Sequence, residues 1–495
     1  MNSSESSPVT LDRRTFVKTV SAAGLGLALA SPLTISAVEA APRRRRYAQV
    51  GCGSRAQMFQ TAVQKTYAEH CEMVAFCDLN PGRLELARQR SLEHGAAIPP
   101  GYLAADFDKM LRETKPDVVI VTTVDGTHHD YIVRALDAGC DVLTEKPMTT
   151  TAEKAQLILD ATKRTGRRVR VSFNYRYSPP RTQVKELLMQ GAIGDVLSVD
   201  FHWMLNTHHG TDYFRRWHSH KENSGGLMIH KATHHFDLVN WWLGAMPETV
   251  TAIGKREFYT PAMAKRLGLQ SHHERCHTCP EKAQCTFALD LAASPKLKSL
   301  YLDQEHFDGY FRDRCVFRPD IDIEDTMNVI VKYDTGATLS YSLNAFNAWE
   351  GYMVAFNGTK GRLEHSDVEA VYVPGADPRT VKISGGGVTT RLIPLRGAAQ
   401  SIPPTTGAGG HGGGDPVLLD DLFLPNPPAD PFLRASDEHG GACSCLIGVA
   451  ANRCFATGQP VRIAELVTGL QRPKMAPMPT REIPVPMPPA SGWTP

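Results

Sequence analysis

Apolar positions in the first third of the chain come in short continuous runs separated by amphipathic stretches, the pattern of strands buried on both faces with helices covering them. Tyr47-Ala48-Gln49-Val50 runs into Gly51-Cys52-Gly53-Ser54-Arg55-Ala56 and then an amphipathic stretch to about residue 69, which reads as strand, tight glycine turn and helix. A second apolar run, 73–77, ends on Asp78, and Asn80-Pro81 starts a helix carrying Leu84, Leu86 and Ala87. The alternation continues with a strand at 117–121, a helix at 129–138, a strand at 141–143, a helix at 151–164 and a strand at 168–172. This βαβ spacing predicts an α/β fold whose N-terminal part, residues 43–172, is a doubly wound Rossmann domain with a parallel sheet.

Beyond it the pattern changes. Residues 195–202 read as a strand, 226–243 as a helix, and 250–255, 328–333, 337–343 and 353–357 as further strands. Strands in series after a helix predict a C-terminal α+β domain with a mainly antiparallel open sheet, over residues 173–471. Residues 257–325 interrupt it as a cysteine-bearing insertion, 375–415 are rich in glycine and proline without a period, and a last helical pattern covers 437–457. The proline-dense tail, 472–495, cannot hold a regular helix or central strand and reads as an extended arm.

At 495 residues, 42% of them hydrophobic, the chain is long enough for two or more cores. Its 54 basic side chains against 52 acidic ones leave a formal charge of +2, which gives no reason to expect nucleic acid or an anionic membrane as partner. A small neutral substrate is expected instead. Residues 1–41 stand apart: Arg13-Arg14-Thr15-Phe16-Val17-Lys18 precedes an apolar run, 19–35, that gives way to Ala40-Ala41, the order of a twin-arginine export signal. Pro32 and several glycines make that run a poor membrane span. The mature chain is therefore expected outside the cytoplasm, in the periplasm or its equivalent, with no stable membrane insertion. That export route carries folded proteins, which suits an enzyme that must acquire its cofactor first.

Gly51-x-Gly53-x-x-Ala56 fits the dinucleotide fingerprint, in which the first glycine makes the turn and the second lets backbone approach a pyrophosphate at a helix N-terminus. Alone it is a weak signal. It gains weight because it leaves a strand, opens a helix and is followed by Asp78 at the end of the next strand, where a ribose hydroxyl would bind. Asp78 favours NAD, since a carboxylate repels a 2′-phosphate, while Arg55 and Arg83 keep NADP open.

Thr123-Val124-Asp125-Gly126-Thr127-His128, then Ala135-Leu136-Asp137-Ala138-Gly139, then Leu143-Thr144-Glu145-Lys146-Pro147 make the chain resemble the Gfo/Idh/MocA oxidoreductases, the family of glucose-fructose oxidoreductase and inositol dehydrogenase. The shared motif is E-K-P after a strand. The resemblance implies that Thr123, His128, Glu145 and Lys146 line the cofactor, with Lys146 towards the nicotinamide and the substrate hydroxyl. Phe173-Asn174-Tyr175-Arg176 resembles the next family element, which implies Asn174 near the nicotinamide and Arg176 near the substrate. Val124 stands where the family usually has proline. Independently of the resemblance, a lysine beside a cationic ring would have its proton affinity lowered and its amine suited to proton transfer.

Gly225-Gly226-Leu227-Met228-Ile229-His230-Lys231-Ala232-Thr233-His234-His235-Phe236-Asp237 resembles the family's G-G-x-x-x-D-x-x-x-H-x-x-D segment, with His230 where aspartate is usual. Positions four apart share one helix face, so His234 is expected as general base, Lys146 assisting, with His230 or Lys231 positioning neighbouring hydroxyls. His235 and Trp217 are further substrate candidates, Trp217 together with His218, Tyr213 and Phe214 as an aromatic surface for a sugar ring or as core. Metal binding by His230 and His234 is the alternative.

Among eleven cysteines, Cys276-x2-Cys279-x5-Cys285, with Cys315 as fourth, has metal-ligand spacing. Structural zinc, an iron–sulfur cluster and two disulfides all fit it, with His272, His273 and His277 as spare donors, and any of them would organise a loop over the cleft. These readings together predict an enzyme moving hydride between a tightly held NAD or NADP and a sugar, glycoside or cyclic polyol, as a homo-oligomer. The alternatives are a glycosidase or lyase working through a transient 3-keto glycoside, and a sugar-binding protein without catalysis.

Overall fold

The computed structural model describes residues 43–270, 274–371, 387–480, 482 and 484–485. The expected export signal, residues 1–41, lies outside them. Six strands, β1 (Arg45–Val50), β2 (Cys71–Asp78), β3 (Gly101–Leu103), β4 (Val118–Val121), β5 (Asp141–Thr144) and β6 (Val169–Val171), form one sheet in the order β3-β2-β1-β4-β5-β6. Every neighbouring pair is parallel. That is the Rossmann strand order, which places a ligand crevice at the C-terminal ends of the strands. β1 and β4 are buried at almost every position, as β-branched runs between two helical layers should be. The sequence pattern passes over β3, which is too short to stand out, and over the helix Phe107–Thr114, although its buried Phe107, Met110, Leu111 and Thr114 recur at helical spacing.

The second sheet has nine strands: β7 (Val196–Asn206), β8 (Pro247–Lys255), β9 (Thr326–Tyr333), β10 (Thr338–Asn347), β11 (Trp349–Gly358), β12 (Gly361–Val371), β13 (Val388–Pro394), β14 (Gln400–Ile402) and β15 (Val461–Arg462). Their order is β14-β13-β12-β11-β7-β10-β9-β8-β15. Only β7 and β10 run parallel; the other pairs are antiparallel. Alternation along β9, buried at every second residue, gives this sheet one covered and one open face. The helix Glu438–Thr457 packs on β8, on β6 and on the helix Ala152–Thr165. Its small residues Gly440, Gly441, Ala442 and Gly448 allow that close fit; a Cβ on Gly448 would meet the Met228 carbonyl oxygen at 2.4 Å.

The helix expected over 226–243 is two helices, Leu227–His230 and Thr233–Leu243. The Ala232 and His235 amides bond to the Leu227 and Ala232 carbonyls, and the His234 amide to that of Lys231. His230 and His234 therefore do not share one continuous helix face, and the break frees the His230 carbonyl. The insertion is the connection between the antiparallel neighbours β8 and β9. Its base is clasped by the buried Asp325 carboxylate, which accepts from the amides of Glu257, Phe258 and Tyr259 at 3.0, 2.7 and 3.1 Å. Among the described residues, no helix is long and apolar enough to cross a membrane.

Candidate active site

A cavity of about 590 Å³ opens at the C-terminal ends of β1, β2, β4 and β5 and is closed from the other side by residues following β7. Its floor is the glycine turn. Gly51 sits at φ +87°, and a Cβ there would meet the Thr122 carbonyl oxygen at 2.5 Å, so only glycine fits. Asp78 accepts from the amides of Cys52 and Asn80 at 2.6 and 2.7 Å. Burial pushes its carboxyl up, against the opposing pull of Arg83 and those amides.

Glu145 is anchored by Arg55 Nε at 2.6 Å and by the Lys146 amide at 3.1 Å. Arg55 also lies 3.7 Å from Asp415, so its guanidinium is held by two carboxylates. Asp415 accepts from Asn174 Nδ2 at 2.7 Å and pairs with His411 Nδ1 at 2.9 Å. Burial alone would raise its pKa, but the His411 contact and Arg55 hold it at about 2. His128 Nδ1 lies 2.9 Å from the Pro147 carbonyl oxygen and Nε2 lies 3.2 Å from that of Thr123. It thus ties together the two loops that carry Thr123 and Lys146, whose bond to Pro147 is cis.

Lys146 Nζ donates to the freed His230 carbonyl at 3.0 Å. Burial lowers its pKa to about 8, with Asp125 and Glu145 opposing. His230 Nδ1 lies 2.5 Å from Asp125 Oδ2. Burial disfavours two full charges there, pushing the Asp125 carboxyl up and the His230 imidazole down. The Asp125 turn reaches His230 because Gly126 permits contact with the segment before it: a Cβ on Gly126 would lie 2.6 Å from the Glu222 carbonyl oxygen. His234 stacks on Tyr175 at 4.2 Å, and burial followed by Lys146 and Lys231 keeps it neutral. Lys231 sits over the Trp203 ring at 4.3 Å and 3.7 Å from Glu350.

Of the residues expected from sequence, the cavity brings together Gly51, Gly53, Ser54, Arg55, Asp78, Thr123, His128, Glu145, Lys146, Asn174, Trp217, His230, Lys231 and His234. Two do not line it. Arg176 is buried in a two-point ion pair with Asp237, at 2.7 and 2.6 Å. His235 is wholly buried, bonded to the Tyr341 hydroxyl at 2.7 Å and stacked on Trp203 at 4.2 Å. Both serve the core, not the cleft.

Among the described residues, no set of three or more His, Cys, Asp or Glu side chains is placed to hold a metal ion, and Cys276, Cys279, Cys285 and Cys315 are free thiols. They are neighbours, and protein donors meet the sulfurs: Arg215 Nη1 at 3.9 Å from Cys276, and the amides of Phe287 and Phe317 on Cys285 and Cys315. Burial pushes the Cys315 thiol up to about 11. His272 and His273 lie outside the described residues.

Asp125, Tyr213, Arg216, His218, Tyr310 and His411 also line the cavity. Asp125 was legible only as a residue of a family motif. His411 lies in the aperiodic glycine stretch at φ +54°, a conformation non-glycine residues seldom take. The lining fits a dinucleotide: among the described residues, Arg83 Nη1, Asn174 Oδ1 and His234 Nδ1 are buried without a hydrogen-bond partner in a cavity whose floor is a glycine turn suited to pyrophosphate.

A family model described as "Oxidoreductase family, NAD-binding Rossmann fold" matches residues 45–173, and one described as "Oxidoreductase family, C-terminal alpha/beta domain" matches residues 185–463. YteT of Bacillus subtilis (strain 168) is 38% identical over 427 residues, 84% of this chain and 97% of that protein. D-glucoside 3-dehydrogenase of Escherichia coli (strain K12) is 30% identical over 151 residues, 30% of this chain and 41% of that protein. The aldose-aldose oxidoreductase structure from Caulobacter crescentus matches with a TM-score of 0.56 over 85% of this chain and all of that one. Its 19% identity makes this a likeness of fold.

Proposed function

The chain belongs to the Gfo/Idh/MocA family of NAD-binding oxidoreductases, and on that premise we propose that it transfers hydride between a tightly held nicotinamide cofactor and a ring hydroxyl carbon of a sugar, glycoside or cyclic polyol. The observation carrying this reading is the convergence of Lys146, the Asp125–His230 pair and His234 in one cavity with the dinucleotide turn. The cofactor, when bound, supplies the hydride acceptor and donor. Gly51, Gly53 and Asp78 would hold its pyrophosphate and ribose, and Thr123, Glu145 and Asn174 its nicotinamide end.

The chain's own groups handle the proton. At neutral pH a share of Lys146 is the free amine, because burial lowers its pKa to about 8; it can take the proton of a hydroxyl whose carbon loses hydride. His230, with Nδ1 committed to Asp125, presents Nε2 as a second acceptor, and His234 is kept neutral in the same cavity. Trp217 and Tyr213 give an aromatic wall to a sugar ring.

A second reading, transient 3-oxidation of a glycoside followed by loss of its aglycone and re-reduction, is favoured by two imidazoles held as bases. The name of the partly matching D-glucoside 3-dehydrogenase supports the same position. Export by the twin-arginine route, suggested by residues 1–41, makes retained and internally recycled cofactor the expected mode. Association as a homo-oligomer is supported by exposed Leu197, Ile253, Ile330 and Met353 on the strands of the open sheet. Screening glycosides and polyols for a keto product tests the function: wild type should yield one and Lys146→Ala none. Equal product from both would refute the role of Lys146, and none from wild type the sugar chemistry.

A further inference from the structure

The segment Tyr301–Tyr310 of the insertion crosses to the Rossmann side and sits on the N-terminus of the helix Pro81–Glu93. Asn80 Nδ2 donates to the Gln304 carbonyl at 2.9 Å. Gly82 leaves the room this needs, since a Cβ there would fall 1.7 Å from Gln304 Oε1. Asp308 completes the seat through an ion pair with Arg83, while its other oxygen accepts the Tyr310 amide at 3.2 Å. Farther along, Arg275 donates to both Glu305 oxygens at 3.0 Å and to Asp313 at 3.1 Å. The cysteine-bearing loop therefore holds this segment in place.

Arg83 is the residue this arrangement controls. It lines the cavity beside Asp78, with Nε 3.8 Å from that carboxylate. Taken alone, Asp78 and Arg83 sum to zero charge, and a guanidinium next to the ribose-binding carboxylate is how this fold accommodates a 2′-phosphate. Asp308 alters both terms: the local sum becomes one negative charge, and one edge of the guanidinium is already engaged. We propose that Asp308, supplied by the insertion, is the residue that makes this cavity select NAD over NADP. The inference rests on the reading that the cavity holds a dinucleotide with its adenine ribose at Asp78.

Calorimetric titration of the dinucleotide-free full chain with NAD and with NADP tests it. Wild type prefers NAD. Asp308→Asn, which still offers an oxygen to the Tyr310 amide, tightens NADP about tenfold or more, the scale of one charge-assisted contact, and leaves NAD nearly unchanged. Adding Arg83→Gln cancels the gain. Gln304→Ala disturbs the same seat without removing charge and leaves the preference as in wild type. An unmoved NADP affinity in Asp308→Asn, a gain surviving Arg83→Gln, or an equal shift in Gln304→Ala would each overturn the role of Asp308. A wild type that binds neither dinucleotide would instead overturn the cofactor reading beneath it.

Discussion

Asp125 Oδ2 lies 2.5 Å from His230 Nδ1, so a carboxylate from the Rossmann half meets an imidazole of the C-terminal half. Orientation by a carboxylate fixes the tautomer of an imidazole and leaves its other nitrogen for chemistry. Asp125→Asn should lower kcat by about 10²- to 10⁴-fold with KM little changed, the range for a misplaced acid–base group. Steady-state kinetics on the identified substrate check this, and a loss confined to KM would assign Asp125 to binding.

Lys146 sets the expected pH dependence. Only the neutral amine accepts a proton, and burial places its pKa near 8 against the opposing pull of Asp125 and Glu145. Oxidation should therefore rise with pH through about 8 and level off above it, while reduction falls over the same window. Glu145→Gln removes an anion that holds this value up, so the limb should move to lower pH. A pH–rate profile of single-turnover hydride transfer reads both effects.

Gly51→Ala should abolish stable dinucleotide binding. The new methyl would press on the Thr122 carbonyl oxygen at 2.5 Å in a left-handed conformation, a strain of about 1–3 kcal/mol before any clash is relieved. Calorimetry on the purified variant, with thermal melting alongside, separates lost binding from lost folding.

The Rossmann half was readable from sequence because its signals are local: β1 and the Gly51 turn adjoin, and Asp78 closes the next apolar run. Lys146 was readable because Glu145-Lys146-Pro147 is contiguous. Asp308 and His411 were not, since they reach the cavity from the insertion and the aperiodic glycine stretch, where no periodicity announces direction. The break at Lys231–Ala232 was hidden for the opposite reason. Apolar residues continue through it, and hydrogen bonding decides it. Arg176 and His235 carried chemistry-bearing side chains into places where tertiary partners, Asp237 and Tyr341, consume them.

Arg176 and Asp237 should accordingly behave as a folding element. Burial pushes Asp237 up to about 6 despite the guanidinium beside it, and Arg176→Met would leave that carboxyl buried without its partner. The expected cost is about 3–5 kcal/mol of stability, read by denaturant unfolding. Turnover in the fraction that folds should stay near that of wild type; a selective rise in KM would return Arg176 to the substrate.

The most direct test of the central claim is the absorbance spectrum of the purified protein, with its bound dinucleotide, recorded as glycosides and polyols are added. Wild type is expected to gain the reduced-nicotinamide band with a sugar substrate and to lose it as turnover completes. Lys146→Ala should keep the dinucleotide and show no change. A protein that carries no dinucleotide and responds to no sugar, or a Lys146→Ala variant that cycles as wild type does, would contradict it.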